Sequence, residues 1–386
     1  MKRTGLLLLA VALLCALPTG MTLADEEISI YDLDPSLLAT PEPPPVNTCS
    51  AEPTLQPPAT VQPERQFKDG SFQLVITAGG DMTIGGDVRK RGDSLFEREL
   101  KKQGGDLNFL TRNVRDILLA DDLTIVNFEG TLTTAPVYKT NNQFVFSAPP
   151  EYVSILKDGG IEAVALQNNH VMDHGEAGLK DTKAALEGAG IVWSDAQNKG
   201  VYEINGVSIA MLTYQQYREQ VAELLIKVPQ DVQNAKALHD IVIVSIHWGD
   251  EKAYFPNRNQ IELGRATIDA GADLVLGHHS HRINPIEFYK GRYIVYSLGN
   301  FSFAGNNKPS DMSTFLFQIR FNVKQNSIEP DSFRIIPCRI SSRKDYNDFA
   351  PTPFTDQYLI NNVVDMLLKN SKGLEYAVDR YPVDWE

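Results

Sequence analysis

Ile241-Val242-Ile243-Val244-Ser245-Ile246-His247-Trp248-Gly249 and, some thirty residues on, Leu274-Val275-Leu276-Gly277-His278-His279-Ser280-His281 are the stretches that decide the fold. Each is an apolar strand pattern without polar alternation, so each reads as a strand buried on both faces. Each also releases histidine at its carboxyl end. An α/β protein builds reactive sites in this way, because the ladder fixes the side chains while the loops beyond it leave them reachable.

Outward from this pair, further strand patterns end in the same manner. Phe72 to Ala78 stops at Gly79-Gly80-Asp81, Leu123 to Val126 at Asn127-Phe128-Glu129-Gly130, and Ile161 to Leu166 at Asn168-Asn169-His170. Helical spacing is read over 106–119, 152–157, 176–187, 260–270 and 356–369. Asn205-Gly206 and Lys290-Gly291 are read as hairpin turns between 201–204 and 207–212 and between 286–289 and 293–296. A further strand is expected over 313–321. Helices alternate with strands early and hairpins come late. That order predicts mixed sheets, two of them packed face to face with helices outside, in one domain over 71–340. A C-terminal loop and helix over 341–386 is expected to pack on the same domain.

Residues 1–24 carry Lys2-Arg3, an apolar run from Leu6 to Leu17 and Thr22-Leu23-Ala24 before an acidic Asp25-Glu26-Glu27. This is the layout of an export signal and implies a secreted, periplasmic or envelope-associated protein. A Pro-rich spacer follows over 25–70, with Pro41-Glu42-Pro43-Pro44-Pro45 inside it. The chain has 36 basic and 49 acidic residues, and Lys2 and Arg3 fall in the leader, so the folded part repels nucleic acid. Of three cysteines, Cys15 lies in the leader, which leaves Cys49 and Cys338 as a candidate disulfide in an exported chain.

Six of the seven histidines sit at or beside the strand ends, and only His239 stands apart. Carboxylates, amides and imidazoles in one place make a mixed oxygen and nitrogen ligand set. That set suits one or two divalent transition ions, Zn, Mn or Fe, rather than calcium or a thiolate-bound metal. Such ions lower the pKa of a bound water, and a free histidine can protonate the leaving oxygen. Asp173 and His174 are read as neighbours of that histidine, and Glu251 and Asn300 as groups that orient a ligand or touch substrate. On an extended segment His278 would point away from His279 and His281, so it is read as a group that touches substrate or supports a ligand rather than as a ligand itself.

Gly80-Asp81, Asn127-Phe128-Glu129, Asn168-Asn169-His170 with Asp173 and Gly175, His247-Trp248-Gly249 with Glu251 and Pro256, Gly277-His278-His279-Ser280-His281 and Tyr296-Ser297-Leu298-Gly299-Asn300-Phe301 together resemble the successive motifs of the CapA/PgsA capsule-synthesis family. That family is tied to poly-γ-glutamate and belongs to the metallophosphatase-like superfamily. The resemblance spans about Phe72 to Phe321. It implies a four-layer α/β/β/α metallophosphatase-like sandwich with Asp81, Glu129, Asn169, His247, His279 and His281 as metal ligands and His170 as proton donor. It also implies a role in synthesis, export or processing of poly-γ-glutamate or a related envelope polymer, with metal-assisted cleavage of a phosphoester or amide. The implied partners are an anionic polymer or a phosphorylated envelope component, and membrane capsule-synthase subunits. Two positions depart from the superfamily pattern. Thr83 stands where the first motif has His, and Glu129 where the bridging residue is Asp. A non-catalytic polymer-binding or scaffolding subunit and a secreted phosphoesterase unrelated to capsule remain open alternatives.

Overall fold

The computed structural model describes residues 65–385 other than Lys68, Arg218, Glu219 and Asn326. The expected leader, nearly all of the spacer and Cys49 lie outside these residues. The chain opens with β1 (Phe72–Met82), β2 (Gly86–Asp87) and α1 (Leu95–Lys102), and a 3-10 turn at Leu107–Leu110 and α2 (Arg115–Leu118) lead into β3 (Leu123–Phe128). β4 (Thr131–Leu132), β5 (Phe146–Ala148), α3 (Ser154–Gly159), β6 (Ala163–Ala165), α4 (Gly175–Ala189) and β7 (Val192–Ser194) follow. The middle runs β8 (Gly200–Ile204), β9 (Val207–Gln215), α5 (Val221–Lys236), β10 (Ile241–His247), α6 (Arg258–Asp269) and β11 (Leu274–His278). The chain closes through β12 (Ile286–Tyr289), β13 (Arg292–Val295), β14 (Asn300–Ser302), β15 (Ser313–Lys324), β16 (Ser327–Arg339), β17 (Thr352–Pro353) and α7 (Gln357–Asn370).

Two large mixed sheets result. The first has the order β17-β16-β15-β1-β3-β6-β7, with β14 also paired to β1, and the second the order β12-β13-β11-β10-β9-β8. β1, β3, β6 and β7 run parallel in the first, as do β9, β10, β11 and β13 in the second. Side-chain alternation explains the layers. Along β10, Ile241 and Ile243 face the other sheet and join Leu74, Ile76, Ile125 and Phe317 in one core. Val242, Val244 and Ile246 point outward and are covered by Leu224, Val228, Val232 and Leu263 of α5 and α6. On the far side, Val126, Phe128 and Val164 meet Phe96, Ile155, Leu156 and Leu186 from the helical side. Helices therefore cover both outer faces, giving a four-layer α/β/β/α sandwich. Val363 and Leu367 of α7 join the core between the sheets.

Both expected hairpins form, and at the first both turn residues take the left-handed backbone that a two-residue turn needs, Asn205 at φ 49° and Gly206 at φ 80°. The helix expected over 106–119 is instead broken. Thr111 N bonds Asn108 O in a three-residue turn, while Leu110, Val114 and Leu118 still bury the same apolar face. Trp248 is fully buried against Tyr296, and its Nε1 donates to Tyr296 O at 2.9 Å. Gly277 makes that contact possible, since a Cβ there would stand 2.0 Å from Tyr296 O. Cys338 is buried on β16 as a free thiol among the described residues, and burial pushes that thiol up to about 12.

At the amino-terminal end of the first sheet, Arg65 forms a fork on Asp122 at 2.5 and 2.9 Å, and Asp122 Oδ2 also accepts from Val75 N. Beside it, burial raises the Asp121 carboxyl well above the ordinary 3.8, and the nearby Glu162 adds to this. A carboxyl with a raised folded pKa stabilises the fold fully below its unfolded pKa, and that contribution is lost as pH rises through the folded value. We expect Asp121→Asn to stabilise the protein at about pH 7 and to flatten the fall in urea midpoint between about pH 4 and about pH 7. Parallel pH profiles of wild type and variant would rule this out.

Candidate metal centre

All the parallel strands of both sheets end at the same edge of the sandwich, and there the two sheets face one another. Asp81 ends β1, Asn127 and Glu129 end β3, and Asn168-Asn169-His170 follows β6. From the second sheet His247 ends β10 and His278 ends β11. Asn300 at the start of β14 lies in register with Asp81.

Asp81 is fully buried and is the hub. Its Oδ1 accepts from Asn127 Nδ2 at 2.8 Å, and its Oδ2 lies 3.1 Å from His281 Nδ1 and accepts from His279 N at 3.3 Å. His278 Nδ1 is 3.4 Å from Oδ1. Glu129, also fully buried, has Oε1 3.1 Å from Asn127 Nδ2 and 3.5 Å from His247 Nδ1. His247 Nε2 reaches Asn169 Oδ1 at 3.0 Å, and the His247 and His279 rings lie 4.5 Å apart. His281 Nδ1 is shared between Asp81 and Asn300 Oδ1, the latter at 2.9 Å.

Burial alone would raise the Asp81 carboxyl, but the His278 and His281 imidazoles outweigh it and hold Asp81 well below the usual range. Burial, with the Asp81 charge beside it, pushes Glu129 the opposite way, well above the usual range. Burial lowers His247 far below an ordinary imidazole, and His279 more modestly. His281 goes up to about 9, because its bond to Asp81 and the nearby Glu129 overcome its burial.

His279 and His281 take left-handed backbone, φ 92° and 54°, which breaks strand alternation. The reading that turned His278 away from them assumed an extended segment, and His278 instead meets Asp81. His170 and Asp173 form a separate pair nearby. His170 Nδ1 is 2.8 Å from Asp173 Oδ2, and the same carboxylate accepts from Phe146 N and Asn142 Nδ2. Glu251 is exposed, and its charge reaches Glu129, His279 and His281. Thr83 does not enter the cluster, because its hydroxyl accepts from Ala304 N at 2.7 Å.

A family model described as bacterial capsule synthesis protein PGA_cap matches residues 75–304, the span that carries all of these groups. The chain belongs to the PGA_cap family. PGA biosynthesis protein CapA of Bacillus subtilis (strain 168) is 33% identical over 314 residues, covering 75% of this chain and 79% of that protein. Capsule biosynthesis protein CapA of Bacillus anthracis is 30% identical over 328 residues, covering 78% and 74%. A probable polyglutamine synthesis accessory protein of Mycobacterium tuberculosis (strain CDC 1551 / Oshkosh) is 30% identical over 213 residues, covering 47% and 55%.

In this PGA_cap chain the donor set fits a divalent cation. One donor atom each from Asp81, Glu129 and His247 lie within 4.8 Å of one another. Glu129 Oε2, both His278 ring nitrogens and His279 Nδ1 are buried without a hydrogen-bond partner among the described residues. Orphaned buried acceptors beside a buried carboxylate pair are costly unless a cation engages them. With oxygen and imidazole donors and no thiolate, the set suits Zn, Mn or Fe.

Two buried amides, Asn127 and Asn168, were not singled out from sequence, although both stood in the quoted motifs. The available signal was period two, since Asn127 and Glu129 leave the end of β3 on the same side. Asn168 Nδ2 donates to Asn127 Oδ1 at 3.1 Å and to Phe128 O at 2.7 Å, so it locks the β6 loop onto the end of β3.

Proposed function

We propose that this chain is an exported protein acting in the synthesis, export or processing of poly-γ-glutamate or a related capsule polymer, through metal-assisted hydrolysis. The observation that carries the chemistry is the buried Asp81, Glu129 and His247 donor set with a separate His170–Asp173 pair beside it. The polymer comes from the relatives, which are named for PGA, capsule and polyglutamine synthesis. Asp81, Glu129 and His247 would hold the cation, and His279, His281 and Asn169 stand near enough to add to it. A bound cation would supply Lewis-acid polarisation of a phosphoryl or carbonyl oxygen and an acidified water. The chain's own part is positional and protic. Asp173 holds His170 at Nδ1, which leaves Nε2 to give a proton to the leaving group. Asp81 and Glu129 are fully buried, whereas Asn169, His279 and His281 stand part-exposed at the rim, and Asp81 keeps its charge there because imidazoles surround it.

Thr83 favours a second reading. With its hydroxyl committed to Ala304, the position that supplies a histidine ligand in the wider superfamily supplies none, as a polymer-holding subunit with one cation would allow. Incubating the purified full chain, loaded with Mn or Zn, with poly-γ-glutamate and with a generic phosphoester separates the two. Hydrolysis of either that chelator abolishes supports the enzyme. Tight polymer binding without cleavage establishes the scaffold instead.

Among the described residues no helix is long and apolar enough to cross a membrane. We propose that any attachment to the envelope comes through the leader or through partner subunits.

A further inference from the structure

We infer that Asn127 is a positioning residue whose carboxamide, clamped by Asn168, holds the donor atoms of Asp81, Glu129 and His247 in the arrangement a divalent cation requires. The inference rests on the reading that those three residues bind the cation. One nitrogen, Asn127 Nδ2, stands 2.8 Å from Asp81 Oδ1, 3.1 Å from Glu129 Oε1 and 3.3 Å from His247 Nδ1. All three contributors to the cation cluster are thus gathered round one donor. Asn127 is 1% exposed and Asn168 2%, so no water takes over their roles from outside.

The amide's orientation is dictated by chemistry. Asn127 Oδ1 accepts from Asn168 Nδ2, and Asn168 Oδ1 in turn accepts from His170 N at 3.1 Å. A flipped Asn127 would set its oxygen against two carboxylate oxygens and its nitrogen against another amide nitrogen, losing every bond. Strand register places it, since Asn127 pairs with Asp81 across β1 and β3 and with Ala165 across β3 and β6. Its range of motion is therefore small.

Asn169 sets the tautomer of the imidazole: its Oδ1 can only accept, so the His247 ring proton sits on Nε2 and Nδ1 keeps its lone pair. The two hydrogens of Asn127 Nδ2 go to Asp81 and Glu129, so that lone pair stands beside the amide at 3.3 Å, and 3.5 Å from Glu129 Oε1, open to a cation. Two buried carboxylates side by side repel, and a neutral donor between them holds them together without adding charge. Groups that orient metal ligands from behind typically change metal affinity by about 10- to 100-fold when removed.

The test measures cation affinity on the full chain, with Mn(II) and Zn(II) titrated calorimetrically into metal-free protein and visible spectra recorded at saturating Co(II). We expect Asn127→Ala to weaken Kd by about 10- to 100-fold and to shift the Co(II) bands. Removing a buried donor from two carboxylates also lowers the melting temperature of the metal-free protein, so affinity is read on protein that circular dichroism shows to be folded. Asn168→Ala, which leaves every ligand and Asn127 in place, should weaken binding in the same direction. The double variant should be no weaker than Asn127→Ala alone, because both act through one amide. If Asn127→Ala does not fold, Asn168→Ala carries the test. A Kd within about 3-fold of wild type together with unshifted Co(II) bands overturns the inference while leaving the cation site standing. A wild-type protein that binds none of the three metals overturns both.

Discussion

Protein carrying Asp81→Ala is expected to retain less than about 0.1 equivalents of metal after purification without chelator, where wild type retains close to one. The expectation follows from the hub position of this carboxylate, whose two oxygens between them meet Asn127, His278, His279 N and His281. It is the group in the cluster that the surroundings hold as an anion, whereas Glu129 beside it is pushed toward its neutral form. Its loss removes the charge that draws a cation into a buried site. The fold should survive, because the imidazoles left behind can shed their protons, and His281 loses the main cause of its raised pKa. Elemental analysis beside far-UV circular dichroism checks both parts. Stoichiometric metal in a folded Asp81→Ala protein would falsify the site assignment.

The second large effect is on turnover. If the chain hydrolyses its substrate, His170→Ala should lower kcat by about 10²- to 10⁴-fold while leaving metal content unchanged, since His170 touches none of the cluster ligands through its side chain. Asp173→Asn should have a smaller effect in the same direction. Asp173 is fully buried and accepts three hydrogen bonds, from His170 Nδ1, Phe146 N and Asn142 Nδ2. An amide in its place can satisfy only part of that set, so the imidazole loses its fixed orientation and tautomer. Turnover that His170→Ala leaves unaltered would remove His170 from the chemistry and leave the cation site untouched.

Much of the architecture was legible because it rests on local patterns. Ile241 to Ile246 has no polar alternation, which only a strand covered on both faces tolerates, and the structure covers it on both. Asn205-Gly206 set one hairpin through backbone preference alone. What escaped was decided by contacts remote in sequence. β16 carries Pro330 and Pro337, residues that demote a strand pattern, yet it pairs along nearly its whole length with β15 and absorbs the irregularity near Pro330 as a register shift. α5 holds Pro229 inside its span and survives because Leu224, Leu225, Val228 and Val232 bury against the second sheet.

The site divides in the same way. Histidines and acids at strand ends announced themselves by residue type, whereas His278 was misread because two left-handed residues after it redirect the segment. Asn127 stood in its motif without a role of its own, because residue type alone does not mark it. Its importance lies in partners that arrive from β1, the β6 loop and β10.

The meeting of two sheets at one edge has a bearing on how the molecule matures. Asp81 and Glu129 belong to the first sheet and His247 to the second, with well over a hundred residues between the earliest and the latest of the three. A partly folded chain possesses two half-sites, a carboxylate pair on one side and isolated imidazoles on the other, neither of which competes well for a metal. If the site takes a cation as proposed, loading would be the closing event of folding, and the ion would be a removable cross-link between sheets. Chelator should consequently loosen the seam between them before it disturbs either one.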